Sequence, residues 1–380
     1  MSKLRNILFA GILMVLLIPM VEYEFQLVQT GPVIDLIGAI VPEEDTVLTY
    51  DGWLSGNFQN KKEKYLNENF GFRTIGVRIN NQIAFSLFTK TKAHGVEVGR
   101  NNYLYEKEYI EAYLGENFVG DSAINEQLQK LKFVQDTLQK MGKSLVLIFA
   151  PGKASFYPEY FPEKYDTVKK GKTNYEVFTR RSFDIGIKFI DFNKYFIENR
   201  GESPYLLYPK YGIHWSLYGA CLAADSLIKY FERERKIDIP ELYWNEIKVE
   251  QARDMDYDLG GGLNLLIQFQ RDQMGYPVTL VGTNKNKTKP RLLVVSDSFY
   301  YGLLQQKFAQ CFSNEQFWYY NQEVLVEGDK GNHRKTASMD LNNEITNHDV
   351  FILMSTERNL SNLGWGYIER MYDHFNPKGK

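Results

Sequence analysis

Cysteine is nearly missing from this 380-residue chain, which holds only Cys221 and Cys311. Both sit in apolar helical patterns and neither belongs to a C-x-x-C spacing. That points to buried thiols rather than a disulfide framework or a zinc site. Histidine is almost as scarce, at five residues, and no H-E-x-x-H occurs. The sequence therefore offers no dedicated metal site. Charge of one sign is lacking too: the formal net charge of -2 gives no general basic field for nucleic acid. Internal repeats and low-complexity tracts are absent. What remains is 44% hydrophobic and 15% aromatic, with 26 Tyr and 25 Phe, enough for a sizeable core in one large domain or two small ones. The aromatic excess suits carbohydrate-facing surfaces and core filling alike.

One long apolar run does exist. Lys3 and Arg5 precede an apolar stretch from Ile7 to Val21. A positive flank before a short apolar segment is the pattern of an export signal or signal anchor. The run falls short of the ~20 residues that span a bilayer comfortably. No small-x-small cleavage site follows it; Glu22, Tyr23 and Glu24 come instead. The pattern predicts an uncleaved anchor in a bacterial inner membrane, with its positive end cytoplasmic and the rest of the chain in the periplasm. The alternative is a buried helix, but the run is apolar all round rather than on one face. Residues 1–44 are then anchor and juxtamembrane segment, and residues 45–380 the globular domain.

Periodicity within that domain predicts helices over 57–70 and 75–88, then a strand pair, or a strand and turn, over 96–105. A helix capped by Asp121 is expected to reach Met141. Ser144 to Ala150 is a continuous apolar run stopped by Pro151-Gly152, the opening of an α/β unit. A helix over 174–184, a short strand over 186–191 and a long helix over 215–235 follow. Further strands are expected over 291–295 and 349–354, with helices over 299–312 and 365–375. Residues 284–289 read as a solvated basic turn. Strands alternating with helices favour a doubly wound, mostly parallel sheet flanked by helices.

The segment Arg291-Leu-Leu-Val-Val-Ser-Asp-Ser-Phe-Tyr-Tyr-Gly302 carries the sharpest signal. It reads as a buried strand, a small polar turn and a helix, with Ser298 at the carboxyl end of the strand. Open α/β sheets place their chemistry at that edge. A hydroxyl there sits among backbone N–H groups able to stabilise an oxyanion. The plainer reading is that Ser296 and Ser298 cap the helix. A nucleophilic serine needs a base. Among the five histidines, His214 lies in Tyr208-Pro-Lys-Tyr-Gly-Ile-His-Trp-Ser-Leu-Tyr-Gly219, also at a loop-to-helix junction. Trp215 beside it is a candidate pocket wall and Ser216 a candidate helix cap. No G-x-S-x-G elbow frames Ser298, which argues against a lipase-like esterase.

His-Trp-Ser before a helix, followed later by a strand and an Asp-Ser-Phe turn, resembles the AlgJ/AlgX branch of the SGNH hydrolase-like superfamily. Asn67-Glu-Asn-Phe-Gly-Phe-Arg73, Val98-Gly-Arg-Asn-Asn-Tyr-Leu-Tyr105, Ala150-Pro-Gly-Lys-Ala-Ser-Phe-Tyr-Pro158 and Thr356-Glu-Arg-Asn359 match further family segments in order. The resemblance spans roughly residues 50 to 375. It implies an extracytoplasmic protein of polysaccharide O-acetylation, with Ser298 as nucleophile and His214 as base. It also implies a polysaccharide acceptor and a polytopic membrane-bound O-acyltransferase as acetyl donor, with no soluble cofactor needed.

The chain departs from the family at one place. An aspartate usually stands two residues before the histidine, and here that residue is Gly212. An orienting carboxylate fixes the tautomer and stabilises the imidazolium, so its loss matters to rate. Three readings stay open. A Ser-His dyad uses a backbone carbonyl at Nδ1; a carboxylate comes from elsewhere; or the domain is inactive and binds glycan as an assembly subunit. For the second, Asp254, Asp256 and Asp258 are candidates, in the loop Asp254-Met-Asp-Tyr-Asp-Leu-Gly-Gly-Gly262. That loop is otherwise a solvated turn, and it lacks the closing glutamate of a calcium loop. Asp297 is read as supporting the turn. Tyr300 and Tyr301 are candidate contacts in the site. Arg358 and Lys153 are candidate anchors or ion-pair partners.

Overall fold

The computed structural model describes residues 2–25, 35–38, 44–284, 286–326 and 333–377. Part of the expected juxtamembrane stretch, and residue 285 of the basic turn, lie outside these. The chain divides into two compact units, Met1–His94 with Gly260–Phe269, and Gly95–Leu259 with Gln270–Lys380.

The first unit is helical. Its helix Ser2–Phe25 contains Pro19, and Lys3–Phe25 is long and apolar enough to cross a membrane. It reaches beyond the apolar run at both ends. Its apolar side chains are almost all exposed, unlike those of a core helix. Helices Asn57–Asn69 and Arg73–Phe88 follow. Buried Arg78 and Asn81 donate to the carbonyls of Leu265 (3.0 Å) and Leu263 (3.0 Å), which satisfies backbone acceptors of the 260–269 segment.

The second unit is α/β. Strands β1 (Val96–Val98) and β2 (Leu104–Glu106) form a short antiparallel pair. Next come β3 (Ser144–Ala150), which is almost wholly buried, and the half-buried β4 (Phe189–Asp191). A long antiparallel pair, β5 (Leu242–Gln251) and β6 (Gln273–Val281), was not evident from the sequence. Then come β7 (Arg291–Ser296), β8 (Ser313–Tyr319), β9 (Glu323–Leu325), β10 (Arg334–Lys335) and β11 (Val350–Thr356). Among the described residues, seven strands make one sheet in the order β10-β9-β8-β7-β11-β3-β4. The pairs from β8 through β4 are parallel, and only the β8-β9-β10 edge is antiparallel. This is the doubly wound, mostly parallel sheet expected from the alternation of elements.

Both faces of the sheet are covered. Leu145, Leu147, Phe149, Leu293, Val295, Phe351 and Leu353 share one core with Leu128, Leu131, Val134 and Leu138 of helix Asp121–Lys140. Val146, Ile148, Val294, Ile352 and Met354, of opposite parity, are buried as well. Helix Asn174–Asp184 starts in a capping box between Thr173 and Glu176, and helix Leu217–Arg235 is capped by Ser216 as expected. Cys221 and Cys311 are buried free thiols.

The strand expected from residue 186 begins at Phe189, and the helix expected from residue 215 begins at Leu217. Three other boundaries differ for a local reason. Gly120, not Asp121, is the cap of its helix; Asp121 lies inside the first turn and pairs with Lys172. The helix expected over 299–312 stops at Gln305, because Lys307 adopts the left-handed region (φ 61°) and a 3-10 turn Phe308–Cys311 follows. The terminal helix begins at Tyr367 rather than Trp365, which also has positive φ (47°).

Candidate active site

Three segments converge at the carboxyl edge of the parallel sheet, where strand order reverses between the β7-β8 side and the β3-β4 side. Strand β7 ends at Ser296, and the chain turns through Asp297 and Ser298. Phe299 is the cap of the short helix Tyr300–Gln305, with no side-chain cap bond. The Ser298 hydroxyl is therefore not used in capping. Its Oγ lies 2.8 Å from His214 Nε2. His214 stands in the loop before helix Leu217–Arg235, and its Nδ1 lies 2.6 Å from Asp258 Oδ2. The other Asp258 oxygen accepts from the amides of Ile213 (3.0 Å) and Leu259 (2.6 Å). A carboxylate only accepts, so this network puts the ring proton on Nδ1 and leaves Nε2 to accept from Ser298. The His214 and Asp258 side chains are 13% and 29% exposed, so the relay is shielded yet reachable.

The glycine at 212 has a physical reason. A Cβ there would stand 2.5 Å from the Met255 carbonyl oxygen, 2.8 Å from Pro209 Cγ and 3.0 Å from the Asp256 carbonyl carbon. The loop that brings Asp258 to the imidazole fills the space a side chain at 212 would need. The departure at 212 and the carboxylate at 258 are thus two aspects of one packing arrangement. The other two aspartates of that loop face elsewhere. Asp254 is exposed, at φ 50°, and pairs with Arg253. Asp256 is fully buried, and burial pushes its carboxyl up to about 7.

Buried groups hold the relay in place. Asp297 Oδ1 accepts from the Phe299 amide (3.1 Å). Its Oδ2 accepts from the Thr356 amide (3.0 Å), Thr356 Oγ1 (2.9 Å) and Asn359 Nδ2 (2.8 Å). It ties the turn at Ser298 to the end of β11. Trp215, expected as a pocket wall, is instead fully buried, and its Nε1 donates to the Phe299 carbonyl (3.2 Å). It packs where Gly302 offers no side chain: a Cβ on Gly302 would meet Trp215 Nε1 at 2.6 Å. Lys153 is also fully buried and is not in an ion pair. Its Nζ donates to the carbonyls of Lys210 (2.8 Å) and Gly212 (2.5 Å), fixing the loop that carries His214. Burial pulls its ammonium down to about 7, opposed by the Asp258 charge.

The remaining candidates fall outside the relay. Tyr300 is fully buried and its hydroxyl meets Glu315 (3.1 Å). Tyr301 is half-buried against Phe317 and Tyr319. Arg358 pairs with Glu106 (2.5 Å) and with Glu108, not with its neighbour Glu357. Glu357 is buried, accepting from Ser155 Oγ (2.6 Å) and Asn193 Nδ2 (2.6 Å), and burial pushes it up to about 7. The supporting roles of Thr356, Asn359 and Glu106 were not foreseen. They depend on strand ends and a distant hairpin meeting in space, although the Thr356–Asn359 motif had marked the place.

Residues 96–290 match the family described as the SGNH hydrolase-like domain of acetyltransferase AlgX. The chain belongs to this family. The matched span holds His214 and Asp258 and stops short of Ser298. Among curated relatives of this AlgX-type chain, a probable alginate O-acetylase AlgJ of Pseudomonas putida is 30% identical over 107 residues. That alignment covers 28% of this chain and 26% of the relative. The counterpart of Pseudomonas aeruginosa is 23% identical over 188 residues, covering 49% of this chain and 46% of the relative. The chain thus spans about a quarter to a half of the length of these relatives. A solved structure, the O-acetyltransferase domain of Pseudomonas putida AlgJ, aligns with 74% of this chain and 99% of its own at 17% identity, with a TM-score of 0.47.

Proposed function

We propose that this protein is an extracytoplasmic, membrane-anchored O-acetyltransferase of a cell-surface or exported polysaccharide, working through an acetyl-serine. The observation that carries the reading is the continuous relay Ser298–His214–Asp258 in an AlgX-type domain. Ser298 Oγ attacks the acetyl carbonyl of the donor while His214 Nε2 takes the hydroxyl proton. The Ser298 backbone N–H faces the developing oxyanion. The tetrahedral adduct collapses, and the leaving group departs with the proton from His214. A sugar hydroxyl then gives its proton to His214 and attacks the acetyl-serine; Ser298 recovers a proton as the sugar ester leaves. Asp258 holds the imidazole and stabilises its charged form throughout. Water in place of the sugar makes the same site an acetyl-esterase. The acetyl donor is a polytopic membrane-bound O-acyltransferase, and the apolar helix Ser2–Phe25 anchors the domain beside it, outside the inner membrane.

An inactive glycan-binding or assembly subunit is the rival reading. Gly212 and the abundant aromatics favour it, and the 2.6 Å contact of Asp258 with His214 Nδ1 counts against the first of these. Release of acetyl from p-nitrophenyl acetate by the full chain in detergent separates the two. Ser298→Ala is expected to lower the rate by at least about 10³-fold. Equal rates for parent and variant would establish the binding role instead.

A further inference from the structure

The edge that carries Ser298 continues into a row of aromatic rings. Tyr319 closes β8 opposite Ser296 in register, and the Tyr320 amide donates to the Ser296 carbonyl (2.9 Å). Tyr301 lies three residues beyond Ser298. The ring centroids run Tyr301 to Tyr319 at 5.6 Å, Tyr319 to Tyr320 at 4.6 Å and Tyr320 to Trp365 at 5.0 Å. All four rings are half-buried. Tyr320, Asn321 and Trp365 hold left-handed backbone, at φ 48°, 51° and 47°. Asn321 Nδ2 donates to the Trp365 carbonyl (2.9 Å), joining the two strained segments. Left-handed backbone is costly for large side chains. Trp365 packs partly buried against the core of the sheet, and Tyr320 meets it edge-on at the surface side.

Among the described residues, the charges acting on these tyrosines are the carboxylates of Asp297 and Glu323, the latter paired with Lys335, and the guanidinium of Arg358. Asp258 and Asp297 stand at the relay, and Glu106 and Glu108 lie on the other side of Arg358. The cation acting on both Tyr319 and Tyr320 is Arg358, and both glutamates already engage it. Burial, reinforced by the Asp297 charge, raises both tyrosine hydroxyls, so the wall stays uncharged. An entering carboxylate would face like charges and a committed guanidinium, whereas the C–H face of a neutral pyranose meets aromatic faces.

Building on the acetyl-serine reading above, we propose that Tyr319, Tyr320 and Trp365, with Tyr301 at the near end, form the acceptor subsite. It stacks an uncharged sugar ring beside Ser298, so the acetylated residue is a neutral sugar rather than a uronate. The test loads the full chain in detergent with acetyl from p-nitrophenyl acetate. It then offers cellopentaose or an oligomannuronate of equal length, and mass spectrometry reads acetylated oligosaccharide against free acetate. The neutral acceptor is expected to gain acetyl at least about tenfold faster than the uronate. Tyr320→Asn and Trp365→Asn keep a residue that tolerates left-handed backbone, and each is expected to lower the transfer-to-hydrolysis ratio about tenfold. Tyr319→Leu, at a regular strand end, is expected to lower it in the same direction. An acetyl-enzyme that passes acetyl to the uronate as fast, or to neither sugar, overturns the subsite. So does an unchanged ratio in all three variants. A parent chain that never forms acetyl-Ser298 overturns the acetyl-serine reading itself, and this proposal with it.

Discussion

Two aspartates flank the Ser298–His214 pair, and they do opposite things. Asp297 adjoins Ser298 in sequence, is 1% exposed, and spends both oxygens on the Phe299 amide, Thr356 and Asn359. Asp258 lies 44 residues from His214, is part-exposed, and gives one oxygen to the imidazole and the other to two amides. One carboxylate ties the turn at Ser298 and the other holds the His214 ring. Nearness in sequence to Ser298 is therefore no guide to which carboxylate orients the histidine. The deciding quantity is which oxygen reaches Nδ1.

That contrast breaks most decisively on Asp258. Asp258→Asn keeps the shape but no longer pins the tautomer. It is expected to lower kcat for acetyl release about 10⁴-fold while shifting the unfolding free energy by under about 1 kcal/mol. Equal activity in parent and variant would remove Asp258 from the chemistry. Asp297→Ala is the converse. It leaves the buried Thr356 amide and Asn359 without their acceptor, and is expected to cost about 3 kcal/mol in urea unfolding. A variant as stable as the parent would mean that the turn does not depend on this carboxylate.

The two aspartates also mark what a sequence can carry. Local signals were sufficient for the β3, β7 and β11 strands, the Ser216 cap and the turn at Ser298, because apolar runs and cap chemistry act within a few residues. His214 was legible by its place at a loop-to-helix junction. Asp258 was visible only as one of three aspartates in a single loop, since nothing local distinguishes the exposed Asp254, the buried Asp256 and the one that reaches His214. That choice is set by the β5-β6 pair, whose cross-strand register fixes where the loop lies, and the pair itself was not foreseen. Lys153, Arg358 and Tyr300 show the same limit: residue type gave a list of partners, and only the folded neighbourhood selects among them.

Moving the carboxylate back sharpens the comparison further. Gly212→Asp restores the usual family residue, yet its Cβ would press on the Met255 carbonyl at 2.5 Å. The variant is expected to lose about 2 kcal/mol of stability, and acetyl release should fall rather than rise as the 254–258 loop is displaced. A gain in activity would show that the loop yields and that position 212 is free to supply the carboxylate.

The smallest effect separates scaffold carboxylates from the working one by their pH signature. Glu357 is raised from 4.5 to about 7 by burial, and Asp256 from 3.8 to about 7. Between the unfolded and folded values the native state binds more protons than the unfolded chain. These groups therefore stabilise the fold fully below about pH 4, and that contribution is lost as pH rises through 7. Lys153, lowered from 10.5 to about 7, acts in the next window: its buried position costs stability as pH falls from 10.5 to 7. Glu357→Gln keeps a side chain able to meet Asn193 and Ser155 but does not titrate. It is expected to roughly halve the fall in unfolding free energy between pH 4.5 and 7, since Asp256 still contributes its share. Urea unfolding at pH 5 and pH 7 reads the difference. An undiminished slope in the variant would mean that Glu357 is already ionised at pH 5 in the fold, and that burial at the end of β11 is offset by its two donors.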